Sequence, residues 1–343
     1  MIFVDTTPKT LHKAIISSIR KSLLELGSAT KAELSEKLDI SFPTISKFLS
    51  QMEKGGEIFS VGLDESSGGR RAKRYAYNPE YMLGLAVFLE KTETNYTIFN
   101  CVGEVKEQGE TPSVLVDGGV NLLTKFIEEI VAETPSKICS IAIGVPGSVD
   151  NGKIFYVPGY EDFHDLDLEG YYEDYFSIPV VVENDINAAV LGFSHHNRMK
   201  DNQSLIYMYF GQNGPGAGLM INGDVVRGKT FFAGEVSFVP QYKEQNFGQA
   251  LENRSSTKEG SVEYQIDSIS RFVATCTAII NPHTVIFSND EIETEMLSKV
   301  AIESSKYIPA EHLPELTVSE WKQDYLYGLQ RLCLDLMIMN DGV

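Results

Sequence analysis

The chain has 343 residues, 43% of them apolar, enough for packed cores and for two or three domains of ordinary size. Its net charge of −19 excludes binding to nucleic acid through the whole surface. The charge is uneven, however: residues 1–78 carry 12 basic and 9 acidic side chains, a net of +3, and the remainder carries 17 and 39, a net of −22.

A small basic head on a large acidic body lets only the head lie against phosphates. Cys101, Cys139, Cys276 and Cys333 form no C-x-x-C pair, which excludes a zinc ribbon and predicts reduced, buried thiols in a cytoplasmic protein. The first residues lack a signal-peptide pattern, and no apolar run approaches ~18 residues, so no membrane contact is expected.

In chain order, Leu11, Ile15, Ile16, Ile19, Leu23, Leu24 and Leu26 recur at helical spacing and predict a helix over 9–26, ended by Gly27. Thr30 and Glu33 have the spacing of a capping box for a short second helix to Leu38. Asp39-Ile40-Ser41 makes a turn, and Ser41 can cap a third helix that tolerates Pro43 in its first turn. Ile45, Phe48, Leu49 and Met52 give that helix a buried face, and Gly55-Gly56 stop it.

Strands are predicted over 57–61 and 73–77, with Ser67-Gly68-Gly69-Arg70-Arg71 at the tip between them. The glycines allow a tight turn, and Arg70 and Arg71 can then reach phosphates or a narrow minor groove. Together these elements predict a winged helix-turn-helix. Ser41, Thr44, Ser46 and Lys47 fall at the start of its third helix, the part that enters the major groove in such domains. A helical protein-interaction module is the other reading. Asn78-Pro79 predicts a linker, dividing the chain into domains 1–78 and 79–343.

Beyond Tyr81, strands are predicted over 83–89, 96–99, 138–145, 179–182, 205–210, 218–221 and 284–287, and helices over 122–131, 186–195 and 266–280. The alternation predicts an α/β body in two lobes with a cleft. Glycine-rich segments fall at strand ends, and between them lies an Asn-Asp pair at a helix start.

The segments Ile143-Gly144-Val145-Pro146-Gly147, Val182-Glu183-Asn184-Asp185-Ile186-Asn187-Ala188-Ala189, Gly214-Pro215-Gly216-Ala217-Gly218 and Ala233-Gly234-Glu235-Val236-Ser237-Phe238 occur in an order and spacing that resembles the ROK family of repressors, open reading frames and sugar kinases. The resemblance covers nearly the whole chain, including the winged-helix head of the repressor branch. It implies a two-lobed, actin-like ATPase (ribonuclease H-like) body with a sugar in its cleft. It further implies ligand contacts from Asn184, Asp185, Glu235 and Glu252, with Asp185 matching the aspartate that acts as general base in the kinases.

The departures from the family pattern shape the expected function. Family kinases wrap ATP phosphates with a D-x-G-G-T-like hairpin. Residues 84–92 correspond to it here, and they lack both the acidic residue and the glycine pair. A second nucleotide-contacting glycine pair is replaced by Ser288-Asn289. The family's zinc cysteines are missing, and Phe238 stands where a zinc histidine is usual; its ring could instead stack on a sugar face. His195-His196 reads as a solvated helix end.

No catalytic residue, metal or cofactor is therefore expected. The expected function is a dimeric transcriptional repressor that binds an inverted-repeat operator and is released by a neutral sugar inducer. The alternatives are a repressor answering to a protein partner, and a bifunctional sugar kinase with a DNA-binding head.

Overall fold

A computed structural model describes residues 8–63, 71–134, 137–157, 160–200, 202–211, 214–252 and 260–339. The chain opens with helix α1 (Pro8–Leu26), strand β1 (Ala29–Thr30), helices α2 (Lys31–Leu38) and α3 (Phe42–Lys54), and strands β2 (Ile58–Leu63) and β3 (Lys73–Tyr77). The three strands form an antiparallel sheet with β3 in the centre. Ile19 and Leu23 of α1, Leu34 of α2, and Ile45, Phe48, Leu49 and Met52 of α3 are buried together, so the helical periodicity of the sequence marks the real core face.

The capping box forms: Thr30 Oγ1 accepts from the Glu33 N–H at 3.2 Å, and the Glu33 carboxylate accepts from the Thr30 N–H at 2.7 Å. Asp39 closes α2 at φ +53°. Ser41 occupies the N-cap position of α3 but makes no side-chain bond to the helix backbone, contrary to expectation. Its hydroxyl is diverted to Thr44 Oγ1, 2.8 Å away. The two-residue strand β1 is too short to leave a pattern in the sequence. Arg70 lies outside the described residues; Arg71 is described and exposed.

The junction expected at Asn78-Pro79 lies at a hydrogen-bonded 3-10 turn, Pro79–Tyr81. Asn78 Oδ1 accepts from the Glu80 N–H at 3.2 Å, and Asn78 Nδ2 donates to the Gly56 carbonyl at 2.9 Å. These bonds hold the junction against the turn that follows α3.

The first lobe of the body contains β4 (Leu83–Leu89), β5 (Glu93–Asn100), β6 (Val105–Pro112), α4 (Gly119–Glu133), β7 (Ile138–Val145), a small sheet of β8 (Ser148–Asp150), β9 (Lys153–Tyr156) and β10 (Leu166–Asp167), then α5 (Leu168–Phe176), β11 (Val180–Asn184) and α6 (Asp185–His196). The second contains β12 (Leu205–Tyr209), β13 (Gly216–Ile221), β14 (Asp224–Val225), β15 (Pro240–Tyr242), β16 (Gln245–Asn246), α7 (Phe247–Glu252), α8 (Gly260–Ile280), β17 (Thr284–Ser288), α9 (Thr294–Ser304), β18 (Glu315–Ser319) and α10 (Trp321–Met339).

The two main sheets repeat one plan. In the first, antiparallel β6-β5-β4 is followed by parallel β7 and β11; in the second, antiparallel β14-β13-β12 is followed by parallel β17 and β18. Two such sheets facing one another make the two-lobed, actin-like body. The period of β4 sorts its side chains: Leu83, Leu85, Val87 and Leu89 pack with α4 and α5, whereas Ala86 and Phe88 face the central layer. That central layer holds α6 and α10, and its apolar core is continuous with the core of the head. Among the described residues, no helix is long and apolar enough to cross a membrane.

Candidate functional site

A cavity of about 290 Å³ opens at the carboxyl ends of β4, β7, β11 and β12. Ligands of open α/β sheets gather at such strand ends because the chain there leaves for opposite faces and a crevice forms. The lining includes Asn184, Asp185, Glu235 and Ser237, together with Glu90, Lys91 and Thr92 from the β4–β5 turn.

Asn184 caps α6: its Oδ1 accepts from the Asn187 N–H at 2.9 Å, and its Nδ2 donates to the Gly147 carbonyl and to Asp185 Oδ1, both at 2.9 Å. Asp185 Oδ1 also accepts from the Ile186 N–H at 2.8 Å, so the carboxylate is held at the mouth of the helix. Burial pushes its pKa up to about 7 against those hydrogen bonds, and the nearby Glu235 charge adds to the rise. Glu235 follows Gly234, whose φ of +95° and close approach to the Ala217 carbonyl leave no room for a side chain. Although Glu235 is exposed as a residue, partial burial of its carboxyl raises its pKa too.

The neighbouring Glu183 is buried and paired with Arg227, and it also accepts from Asn187 Nδ2 at 3.2 Å. This pair fixes the strand-to-helix turn from behind. On the β4–β5 turn, the Glu90 N–H donates to the Glu93 carbonyl at 2.9 Å, and Lys322 of α10 lies 3.2 Å from Glu90 and 2.9 Å from Glu93. Burial raises the Glu90 pKa despite that lysine.

Two expected contacts are not brought to the cavity. Glu252 is the exposed last residue of α7 and is not among the lining residues. Phe238 is also exposed and pairs with Phe232, ring centroids 5.3 Å apart, while its neighbour Ser237 faces the cavity in its place. The 3-10 turn over Val236–Phe238 turns the ring outward. His196 stacks on Tyr327 at 4.3 Å, joining α6 to α10. Among the described residues, no group of three His, Cys, Asp or Glu side chains is placed to hold a metal ion.

At the head, Ser41 and Lys47 are exposed at and near the start of α3, and Thr44 is half-buried between them. Ser46 is half-buried and accepts from Lys31 Nζ at 2.8 Å, so its hydroxyl is already engaged.

The ROK family profile matches residues 85–246. That stretch spans the first lobe and the start of the second. It is 28% identical over 285 residues to the xylose repressor of Bacillus spizizenii (strain ATCC 23059 / NRRL B-14472 / W23), a match covering 76% of this chain and 73% of that one. Three further relatives named xylose repressor or putative xylose repressor are matched over 58–62% of their own lengths. In fold, the chain is similar to a ROK family transcriptional regulator, a homolog of the E. coli MLC protein, with a TM-score of 0.74 at 17% identity, covering 96% of this chain and 98% of that one. It is also similar to Lmo2764 of Listeria monocytogenes, a putative N-acetylmannosamine kinase, with a TM-score of 0.62 at 18% identity over 73% of this chain and 98% of that one. The fold is therefore shared by proteins described as regulators and as kinases, and the four sequence relatives above are named repressors or putative repressors.

Three of the four sequence-predicted ligand residues of the ROK body thus line one cavity. Sequence reasoning missed Tyr209, Trp321 and Tyr325, which line it as well. Trp321 stacks on Tyr209 with ring centroids 4.0 Å apart. It is the only tryptophan in the chain and lies in an aromatic-rich segment, the one signal that could have pointed there.

The raised Asp185 pKa has a consequence for stability. The native state holds a proton that the unfolded chain, with an aspartate pKa near ~3.9, has already released. The contribution is complete below about pH 4 and is lost as pH rises towards about 7, where it costs no more than about 4 kcal/mol. Asp185→Asn is expected to raise the melting temperature progressively more, relative to wild type, between pH 5 and pH 8. A difference that stays constant across that range would show that the carboxyl titrates normally.

Proposed function

We propose that this protein is a transcriptional repressor whose head binds operator DNA and whose ROK body binds a neutral sugar that releases the DNA. The observation that carries the reading is the union, in one continuous core, of a three-helix head with its third helix exposed at the start and a cleft lined by Asn184, Asp185 and Glu235. Carboxyl groups share several hydrogen bonds with sugar hydroxyls, and in their ionised form they repel a phosphorylated ligand. The repressor names of the relatives support the same reading.

A sugar kinase is disfavoured at the β4–β5 turn. The family's phosphate hairpin would need close backbone approach there, but Leu89 and Glu90 face the cavity and Glu90 is held by Lys322. A two-fold dimer would place two heads on an inverted repeat in a cytoplasmic setting.

Lys47 and Arg71 are proposed to neutralise phosphates, and Ser41 and Thr44 to reach the groove. Lys47→Ala and Arg71→Ala should each weaken binding to a duplex selected from a random pool. Each should also reduce the slope of log affinity against log salt by about 0.9 for every phosphate that the variant leaves unneutralised. Fluorescence anisotropy over a salt series measures both. Unchanged slopes in both variants would move the DNA-binding face elsewhere.

A further inference from the structure

Tyr325 stands one turn into α10 and lines the cavity, yet it is only 1% exposed. Its hydroxyl has no hydrogen-bond partner among the described residues. A buried hydroxyl without a partner costs free energy, and a group of this kind at a cavity wall is satisfied when a ligand hydroxyl arrives. The hydroxyl lies over Gly144, where a Cβ would come within 2.0 Å of it, so this glycine near the end of β7 makes room for the oxygen. Phe88 and Trp321 hold the ring from two sides, at 5.5 and 5.7 Å between centroids. The position of the hydroxyl is therefore fixed before any ligand binds.

The helix that carries it is tied to every part of the molecule. Against α6, whose first residue is Asp185, the backbones meet directly: a Cβ on Gly192 would lie 1.8 Å from the Asp324 carbonyl, and one on Gly328 would lie 1.8 Å from the Ala188 carbonyl. Ser140 of β7 donates to the Cys333 carbonyl at 3.0 Å, and Tyr207 of β12 donates to Asp324 at 2.8 Å, so α10 is bonded to both lobes.

Towards its C-terminal end, the Met337 and Ile338 carbonyls face α1. Arg20 of α1 reaches them at 3.5 and 3.3 Å. A cation at a helix C-terminus satisfies such carbonyls and complements the dipole. The same guanidinium is paired with Glu57, next to the wing strand β2. Tyr325 and Met337 are separated by roughly 18 Å of continuous helix.

We propose that the Tyr325 hydroxyl hydrogen-bonds the sugar in the cleft, and that α10 transmits that contact to the DNA-binding head through Arg20. The inference rests on the sugar-binding reading above and adds to it a ligand group and a route.

The test uses the full-length protein and a panel of D-xylose, D-glucose, N-acetyl-D-glucosamine, N-acetyl-D-mannosamine and sucrose. The panel member that most raises the wild-type melting temperature is titrated by calorimetry into wild type and Tyr325→Phe. The variant keeps the ring and loses only the hydroxyl. It is expected to bind that sugar roughly 3- to 10-fold more weakly, with its operator affinity in the absence of sugar unchanged and its sugar-free melting temperature no lower than that of wild type.

Hydrogen exchange then follows α1 and the last turn of α10. Saturating sugar should change exchange there in wild type, and by less in Tyr325→Phe. Equal sugar affinity in the two proteins would overturn the ligand contact while leaving the sugar-binding reading intact. Normal sugar binding with no change of exchange in α1 would overturn the route. A wild type whose melting temperature responds to no panel member would overturn the sugar-binding reading and this inference with it.

Discussion

At pH 8, above the raised Asp185 pKa of about 7, Asp185→Ala is expected to weaken sugar binding by roughly 10- to 150-fold, the range set by a net ~1.5–3 kcal/mol for a hydrogen bond to a charged group. The carboxyl sits at the N-terminus of α6 and faces the cavity beside Glu235; its backbone hydrogen bonds favour the charge, and burial outweighs them. Its removal takes away that acceptor together with its bonds to the Ile186 N–H and Asn184 Nδ2, while the cap bond from the Asn187 N–H to Asn184 Oδ1 remains. Operator affinity without sugar should stay within about twofold, since Asp185 has no contact with the head. Calorimetry with the active sugar measures the first effect and anisotropy the second. Normal sugar affinity in this variant would assign Asp185 to the fold.

Arg20→Met is expected to cost about 3–5 kcal/mol of stability, the range for breaking a buried ion pair from one side. Arg20 is 1% exposed and its Glu57 partner 6%. Burial disfavours the guanidinium charge, but Glu57 outweighs burial and raises the Arg20 pKa. Tyr77 donates to the same Glu57 oxygen at 3.0 Å, and burial pushes the phenol well above its ordinary range, so it remains a neutral donor. Without Arg20, Glu57 is left charged in an apolar setting, and the last carbonyls of α10 lose their cation. Replacing both partners, as Arg20→Met with Glu57→Gln, should recover a large part of the stability because no buried charge remains. Urea denaturation of the three proteins measures this. A loss below about 1 kcal/mol for Arg20→Met would show that water or another group reaches Glu57.

The elements that the sequence declared were those with a clean period or a distinct terminator. The apolar stripe of α1, the Thr30–Glu33 box of α2 and the glycines after α3 all fall where the side chains said they would. The strands β4, β7 and β17 are buried on both faces and read as unbroken apolar runs. Other elements left no such signature. Strand β6 is largely exposed at a sheet edge, and its charged residues hide the alternation. Helix α10 is packed against α6, both sheets and the head, so apolar and small residues occur all round it and no amphipathic stripe stands out.

The site shows the same division. Asn184 and Asp185 sit at the end of β11, and Glu235 sits in a compact motif just before a 3-10 turn, where local sequence and tertiary position coincide. Tyr325 and Trp321 come from the far C-terminal helix, and only folding brings them to the cavity. Linear distance from a motif points Glu252 and Phe238 to the cavity; a short helix and a 3-10 turn carry both away from it.

The central claim is that sugar in the cleft controls the hold of the head on DNA. Its most direct test is a titration of the full-length protein, bound to a labelled operator duplex selected from a random pool, with each sugar of the panel, in wild type and in Asp185→Ala. The account predicts that at least one sugar releases the wild-type protein from the duplex and that the same concentration leaves Asp185→Ala bound. Retention of the wild-type complex at saturating concentrations of every sugar that binds it, or equal release of the Asp185→Ala complex, would contradict the account.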